Sequence, residues 1–308
     1  MKKLLIITQS VDMGDELLGF FHRWIEEFAK IYNQVTVICL KKGNFNLPGN
    51  VKVLSLGKEE NKSKIQYLFR FYKYIWNERR NYDNVLVHMN QEYILLAWDI
   101  WRLFGKRIYF WRNHASGNLL TRLAVLFSHK VFYTSPSSFT SRFKKSVQMP
   151  VGIDTDLFKP DSAVSRIPNS ILFLGRISPV KRVIEFIEWF NRLDQKFIAT
   201  LAGGALPKDE NYEKKAKTLA SERIKFIGPV TQDEALKLYQ SHEIYVNMTQ
   251  AGSFDKTIFE AAACEMKLML RNADLKNLEN KKPPELRAFV VLNHNLKGLM
   301  DRFKEEIS

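Results

Sequence analysis

Ile171-Leu-Phe-Leu-Gly175-Arg176-Ile-Ser-Pro-Val-Lys181-Arg182 is the stretch on which the fold turns. An aliphatic strand runs into a glycine, Arg176 stands beside it, and Lys181 follows at a helix start. Parallel α/β sheets bind ligands outside the carboxyl ends of their strands, and two cations at such an edge suit a phosphate. The same alternation of short aliphatic runs and amphipathic helical patterns extends in both directions, which is the signature of layered α/β structure. Ahead of it, strands are expected at Leu4–Thr8, Val35–Leu40, Asn84–His88, Arg107–Trp111 and Lys130–Tyr133. Leu17, Phe21, Trp24, Phe28 and Ile31 form the first helical stripe, and further helices are expected at about residues 92–104 and 118–127. Behind it, strands are expected at Phe197–Ala202, Ile224–Ile227, Ile244–Asn247, Leu268–Arg271 and Phe289–Leu292, with helices near 182–194, 210–221, 232–240 and 257–264. Between the arrays, Met149-Pro150-Val151-Gly152 and the stretch from Asp154 through Pro160 to Pro168 read as a linker.

Composition supports two domains. The chain has 308 residues, 45% hydrophobic and 26% charged, enough apolar material for two cores and too much for a disordered chain. No apolar run approaches the roughly 18 residues of a membrane span, and Leu4–Ile7 after Met1-Lys2-Lys3 is too short for a signal peptide, so a cytoplasmic protein is expected. Cys39 and Cys264 lie in apolar settings and read as buried thiols, not a disulfide framework. Net charge is 47 − 33 = +14, unevenly spread: residues 1–150 carry 23 − 11 = +12 and residues 151–308 carry 24 − 22 = +2. The first half therefore seeks an anionic partner, whether nucleic acid, a membrane face or a phosphorylated substrate. No nucleic-acid-binding motif accompanies the charge, so nucleic acid is not an expected partner.

After the opening stretch come Leu201-Ala-Gly203-Gly204, a glycine pair that serves a ligand or an ordinary turn equally well, then Phe226-Ile-Gly228-Pro229-Val230, Tyr239, and Tyr245-Val-Asn-Met-Thr249. Gly252-Ser253-Phe254-Asp255-Lys256-Thr257-Ile-Phe-Glu260-Ala-Ala-Ala-Cys264 completes the set. In this order, over roughly residues 146–271, the set resembles the donor-nucleotide domain of family 4 glycosyltransferases. That family runs GR-x-x-x-x-K, a glycine-rich strand end, F-x-G-x-V, and E-G-F-G before a helix bearing L-E-A-x-A-C. The first half agrees more loosely, through Gly14 in the first β–α loop, His114 after a strand, and a hinge from Pro150 to Pro160.

The resemblance implies an α/β protein of two Rossmann-like domains facing each other across a cleft (the GT-B fold), residues 1–158 holding the acceptor and 159–308 the donor. It implies retaining transfer of a sugar from a UDP- or GDP-linked donor to an acceptor hydroxyl, with the nucleotide sugar as co-substrate and no metal or other cofactor. Arg176 and Lys181 would neutralise the diphosphate and the leaving group, with His114 beside the donor sugar from the opposite domain. Backbone amides of Lys256 and Thr257 would bind phosphate, Glu260 the ribose hydroxyls, and the backbone around Gly228 and Val230 the base. Gly14, Gly175, Gly203, Ser253, Phe254 and Asp255 fall at further donor positions.

The match departs from the family at three places. Gly252 stands where the first glutamate of an E-x7-E pair is usual, with Asp255 as the substitute carboxylate nearby in sequence. Ser253-Phe254-Asp255 replaces G-F-G, and Val151 replaces the hinge asparagine. Family members also often continue beyond the equivalent of Asn295–Ile307 with a helix that returns to the first domain. A catalytically weakened nucleotide-sugar binder and a sugar-nucleotide 2-epimerase are the alternative functions. Asp154-Thr-Asp156 spells D-x-D but sits in the hinge, and His22, His88, His129 and His242 lack metal-ligand spacing.

Within Lys62–Tyr82, Ile65, Leu68, Phe69, Tyr72, Ile75 and Trp76 form a helical stripe expected to pack on the sheet. Tyr67, Phe71 and Tyr74 form a second stripe on the opposite face, flanked by Lys64, Arg70 and Lys73. Interfacial aromatics among cations suit an anionic membrane surface. The expected acceptor is accordingly a membrane-associated glycan or lipid-linked intermediate, reached from a peripheral position on the inner face.

Overall fold

Hydrophobic runs with no polar alternation belong to strands covered on both faces, and Leu4–Ile7 is such a run: all four side chains are buried. In the computed structural model, which describes residues 2–15 and 18–307, this strand is central to the first of two units. That unit comprises the chain up to Met149 together with the residues from Met300 onward; the second is Pro150–Leu299. The division thus precedes the expected boundary after Phe158. Leu17, expected to open the first helical stripe, lies outside the described residues.

The first unit runs β1 (Lys3–Val11), α1 (Gly19–Ile31), β2 (Gln34–Lys42), β3 (Val51–Ser55), α2 (Lys64–Asn77), β4 (Asn84–His88), α3 (Gln91–Leu103), β5 (Arg107–Trp111), α4 (Leu119–Phe127), β6 (Lys130–Tyr133) and β7 (Ser146–Gln148). Its strands form one parallel sheet in the order β3-β2-β1-β4-β5-β6-β7. The short edge strands β3 and β7 were not expected from the sequence. On one face Leu5, Ile7, Val85 and Val87 meet Phe71 and Ile75 of α2, Ile94 and Trp101 of α3, and Ala124 of α4. Alternate residues point to the other face, where Phe21 and Trp24 of α1 pack with His88 and Trp111.

The second unit continues with β8 (Ile167–Leu174), α5 (Val183–Phe190), β9 (Ile198–Ala202), α6 (Glu210–Leu219), β10 (Ile224–Gly228), α7 (Gln232–Ser241), β11 (His242–Asn247), α8 (Lys256–Ala263), β12 (Lys267–Leu270), α9 (Pro283–Asn293) and α10 (Leu296–Glu306). Its sheet is parallel, ordered β10-β9-β8-β11-β12. No helix among the described residues is long and apolar enough to cross a membrane.

Two expectations are corrected. Phe289–Leu292 is helix, not strand: Pro283 and Pro284 open α9, Glu285 caps its first turn, and Leu286 and Val290 bury one helical face. On α2, Ile75 packs on the sheet as expected, but Phe71 of the other stripe is buried beside it, while Ile65, Leu68, Phe69 and Trp76 are exposed. Of the second stripe, Tyr67 and Tyr74 are half-buried against the same core as Phe71; Tyr74 Oη donates to Ser55 O (3.1 Å). Arg70 is held by Glu60 (2.9 Å), while Lys64 and Lys73 are exposed.

The return to the first unit, finally, is made by α10. Phe303 lies 5.0 Å from the Phe28 ring, 5.2 Å from Phe132 and 5.7 Å from Trp111, while Lys130 Nζ bonds Glu306 at 2.8 Å. Phe303 fills the aromatic core on the α1 face. Phe303→Ala should cost about 3–5 kcal/mol of stability, the usual loss for a fully buried phenylalanine, read as a lowered denaturant midpoint for the first unit.

Candidate functional site

In a parallel sheet the strand order reverses where crossovers leave in opposite directions, and the crevice outside the strand ends at that point admits a ligand. In the second unit the reversal lies between β8 and β11. Two loops leave there, Gly175–Lys181 and Met248–Asp255, and Lys181 Nζ meets Asp255 Oδ2 between them at 2.6 Å. The same oxygen accepts from Thr249 Oγ1 (2.7 Å) and Asn247 Nδ2 (3.0 Å). Burial alone would raise the Asp255 pKa. The Lys181 charge and the three hydrogen bonds outweigh it and hold the carboxyl below its usual value. Lys181 is therefore not the free cation that sequence reasoning expects.

Arg176, half-buried on the same loop, has a guanidinium with no ion pair or hydrogen bond among the described residues. Its backbone is positioned by glycine contacts. Gly175 N–H donates to Ala202 O (2.9 Å) and Gly203 N–H to Gly228 O (2.7 Å), which joins the ends of β8, β9 and β10. A Cβ at Gly203, where φ is +137°, would lie 2.0 Å from Gly175 O, so no other residue fits. The ends of β9 and β10 lie next in line along this edge, with Gly228 open above its Cα and Val230 half-buried against the core.

Helix α8 starts at the crevice. Asp255 is its N-cap residue, and Lys256 and Thr257 are its first two helical residues. Helix N-termini attract anions through unpaired N–H groups. Lys256 turns away, its Nζ bonded to Gly152 O at 2.8 Å. Burial draws its pKa down to about 7 against the opposing pull of Glu260 and Asp154. Thr257 Oγ1 lies 2.7 Å from Tyr245 Oη. Glu260, just over one turn further, is buried, not a solvated helix carboxylate. Tyr239 Oη donates to its Oε2 (3.0 Å), leaving Oε1 without a hydrogen bond among the described residues. Burial raises its pKa, partly offset by the Lys256 charge and the Tyr239 bond.

Of the remaining expected residues, Phe254 packs inward against Phe259 (5.4 Å), and Ser253 offers its carbonyl to Asn272 Nδ2 (3.0 Å). Gly252 has φ +101°, which a glutamate there would adopt only with strain. Asp154 Oδ1 accepts from the Asp156 and Leu157 amides, a turn cap within the hinge. In the first unit, Gly14 N–H donates to Asp12 Oδ1 (3.0 Å) after β1. His114 is exposed after β5, its Nδ1 accepting from Ser116 N–H (3.0 Å). Sequence reasoning assigns no role to Asn247, Thr249 or Tyr239, although three polar side chains so close to one strand were a usable signal.

Residues 168–295 match the family model described as glycosyl transferases group 1. No curated protein matches the chain by sequence. Among solved structures, Anabaena HepE with UDP and glucose superposes with a TM-score of 0.77 at 16% identity, covering 100% of this chain and 99% of that one. HepE has also been solved with UDP and with UDP-glucose. A sucrose-phosphate synthase from Thermosynechococcus elongatus gives 0.76 at 12% identity, covering 99% and 98%. A glycosyltransferase from Rickettsia africae gives 0.70 at 14%, covering 100% and 99%. The likeness establishes the fold: two parallel-sheet domains of the GT-B type.

Because the Asp255 pKa is depressed in the folded state, its stabilising effect is full above the ordinary carboxylate value of about 3.9 and is lost as pH falls through the folded value. Asp255→Asn should therefore be less stable than the parent near neutral pH, with the difference shrinking in acid. Urea titrations at stepped pH measure it, and a difference that holds constant in acid would remove the ion pair from the account.

Proposed function

We propose that this chain, a GT-B fold whose second unit matches the group 1 glycosyl transferases, moves a sugar from a UDP- or GDP-linked donor to an acceptor hydroxyl, with retention of configuration and no bound metal. The observation that carries the reading is the Lys181–Asp255 tie at the β8–β11 reversal, which joins the loop bearing Arg176, whose guanidinium is unpaired among the described residues, to the start of α8, with the buried Glu260 carboxylate about one turn into that helix. A cation, a fan of amides and a carboxylate in that order match a diphosphate followed by a ribose. The bound UDP and UDP-glucose of HepE support trying uridine nucleotides first.

In this reading Arg176 faces the charge that builds on the departing phosphate as the bond from sugar C1 to oxygen breaks. The electron pair goes to that phosphate oxygen, the acceptor oxygen bonds C1 on the same face, and its proton passes to the leaving group. Amides at the start of α8 share the phosphate charge, with Ser253 and Asp255 shaping the turn before them. Glu260 Oε1 accepts from the ribose, and the backbone of Gly228 and Val230 meets the base. His114 and Gly14 are the contributions of the first unit. The acceptor is a membrane-associated glycan or lipid-linked intermediate, met by a peripheral protein at the inner membrane face, and the +12 of the first half supports this.

A second reading, a weakened donor binder, is favoured by Gly252 and by the engagement of Lys181 with Asp255. The two separate in turnover: a transferase consumes donor only with acceptor present, a weakened binder consumes none, and an epimerase converts donor alone.

Calorimetry with UDP, GDP, ADP and their sugar conjugates, with and without Mg²⁺, should find one nucleotide family bound independently of metal. Charge-assisted bonds contribute about 1.5–3 kcal/mol, so Arg176→Ala should weaken that binding about 10- to 100-fold. Glu260→Gln should weaken the nucleotide while sparing inorganic diphosphate. Absence of binding by every nucleotide tested would overturn the reading.

A further inference from the structure

Helices α2, α3 and α4 cover one face of the first sheet, and their outward side is unusually apolar. Ile65 is 81% exposed, Phe69 72% and Leu103 80%, and Trp76, Leu119 and Leu126 are also exposed. On α2 the exposed residues Ile65, Phe69 and Trp76 recur at helical spacing about a third of a turn around the helix from the buried pair Phe71 and Ile75, so the apolar surface extends well beyond the stripe that packs on the sheet. The layer is continuous: Tyr72 Oη of α2 donates to Leu96 O of α3 (2.7 Å), Trp76 packs on Phe104 (5.5 Å), and Trp98 of α3 stacks on Phe127 of α4 (4.0 Å). Between α2 and α3 lies an open groove of about 380 Å³, walled by Phe69, Tyr72, Trp76 and Ile100 with Lys73 at its rim.

The charge around this face has one dominant sign. Residues 100–153 contain nine Lys and Arg and no Asp or Glu. Lys64, Lys73, Arg80, Arg102 and Arg122 are exposed on or beside the three helices, against Glu92 and Asp99 on α3. Arg79 lies over the Trp76 ring (4.7 Å) and Arg102 over Trp98 (5.5 Å). Such stacking holds each guanidinium on the face of an aromatic ring at the surface, so cation and ring present themselves together.

We propose that the outer face of α2, α3 and α4 is a docking surface for an anionic lipid bilayer, its leucine and aromatic side chains entering the acyl boundary and its cations meeting lipid phosphates. Apolar insertion and attraction to anionic headgroups together give stable peripheral binding where either alone is marginal. The charge argues against a second copy as the occupant, since two such faces apposed would set like cations against each other. The surface belongs wholly to the first unit, is carried by exposure and charge, and does not depend on the transferase reading.

The full chain is sedimented with phosphatidylcholine vesicles, with and without phosphatidylglycerol. Binding is expected only with the anionic lipid. The triple variant Ile65→Ser, Phe69→Ser, Leu103→Ser should bind about tenfold more weakly or worse with an unchanged melting temperature, because the side chains removed are 72–81% exposed. A charge variant, Arg80→Glu with Arg122→Glu, should lose the same binding and guards against a misfolded triple variant. Parent protein that ignores phosphatidylglycerol, or variants that bind as well as the parent, would overturn the proposal. So would a parent dimer in sedimentation velocity that the triple variant dissolves and that binds no vesicle. Nucleotide calorimetry on the same samples reads the donor site separately, so either idea can fail alone.

Discussion

A single carboxylate oxygen, Asp255 Oδ2, holds the loops at the reversal of the second sheet in place. It accepts from Lys181, Thr249 and Asn247 and so ties the loop after β8 to the one after β11, at the place where the fold would otherwise leave two free strand ends. Everything proposed for the crevice inherits that tie. It sets where α8 begins, and through the short loop after Gly175 it sets where Arg176 stands. It also distinguishes the two cations of the loop, since Lys181 is engaged by Asp255 whereas the Arg176 guanidinium has no ion pair among the described residues. A buried ion pair of this kind adds little net stability by itself, but removing one member leaves a costly unpaired charge.

Around α8 the burial of ionisable groups is unusual for a helix of eight residues. Glu260 is pushed toward its neutral form and Lys256 toward its own, each restrained by the other's charge. The alanines Ala261, Ala262 and Ala263 and the flanking Ile258 and Phe259 are all fully buried, so the helix is enclosed on every side and its carboxylate has few conformations to choose from. Rigidity of that sort is what a recognition carboxylate needs, because little ordering remains to be done when a partner arrives.

Periodicity made much of this architecture legible. The strands Asn84–His88, Arg107–Trp111 and Lys130–Tyr133 were read at the bounds they have, because fully buried parallel strands are nearly uniform in composition and flanked by polar turns. The glycine positions at the ends of β8, β9 and β10 were legible for the same reason. Where two signals competed, the stronger constraint decided. Phe289–Leu292 looks like a strand in isolation, yet the prolines and Glu285 just before it start a helix that continues through it. On α2 the apolar residues run most of the way round the helix, so counting them could not say which faced the sheet, and of the larger stripe only Ile75 is fully buried. The Lys181–Asp255 pair joins residues 74 apart, and no local pattern announces such a contact. Phe254 was expected at a ligand because of its place in a motif, whereas its ring serves the core.

The first unit is assembled from discontinuous sequence, and this bears on its synthesis. Chains emerge from the ribosome amino end first and domains tend to fold as they appear, but the aromatic core on the α1 face lacks Phe303 until the whole of residues 150–299 has been made. Residues 150–299, in contrast, are complete as a continuous stretch. The later-made unit can therefore reach its native packing while the earlier one still waits, its Phe28, Trp111 and Phe132 side chains uncovered on the nascent chain. Order of translation and order of completion run in opposite directions, and the interval between them is when this chain has most need of a chaperone.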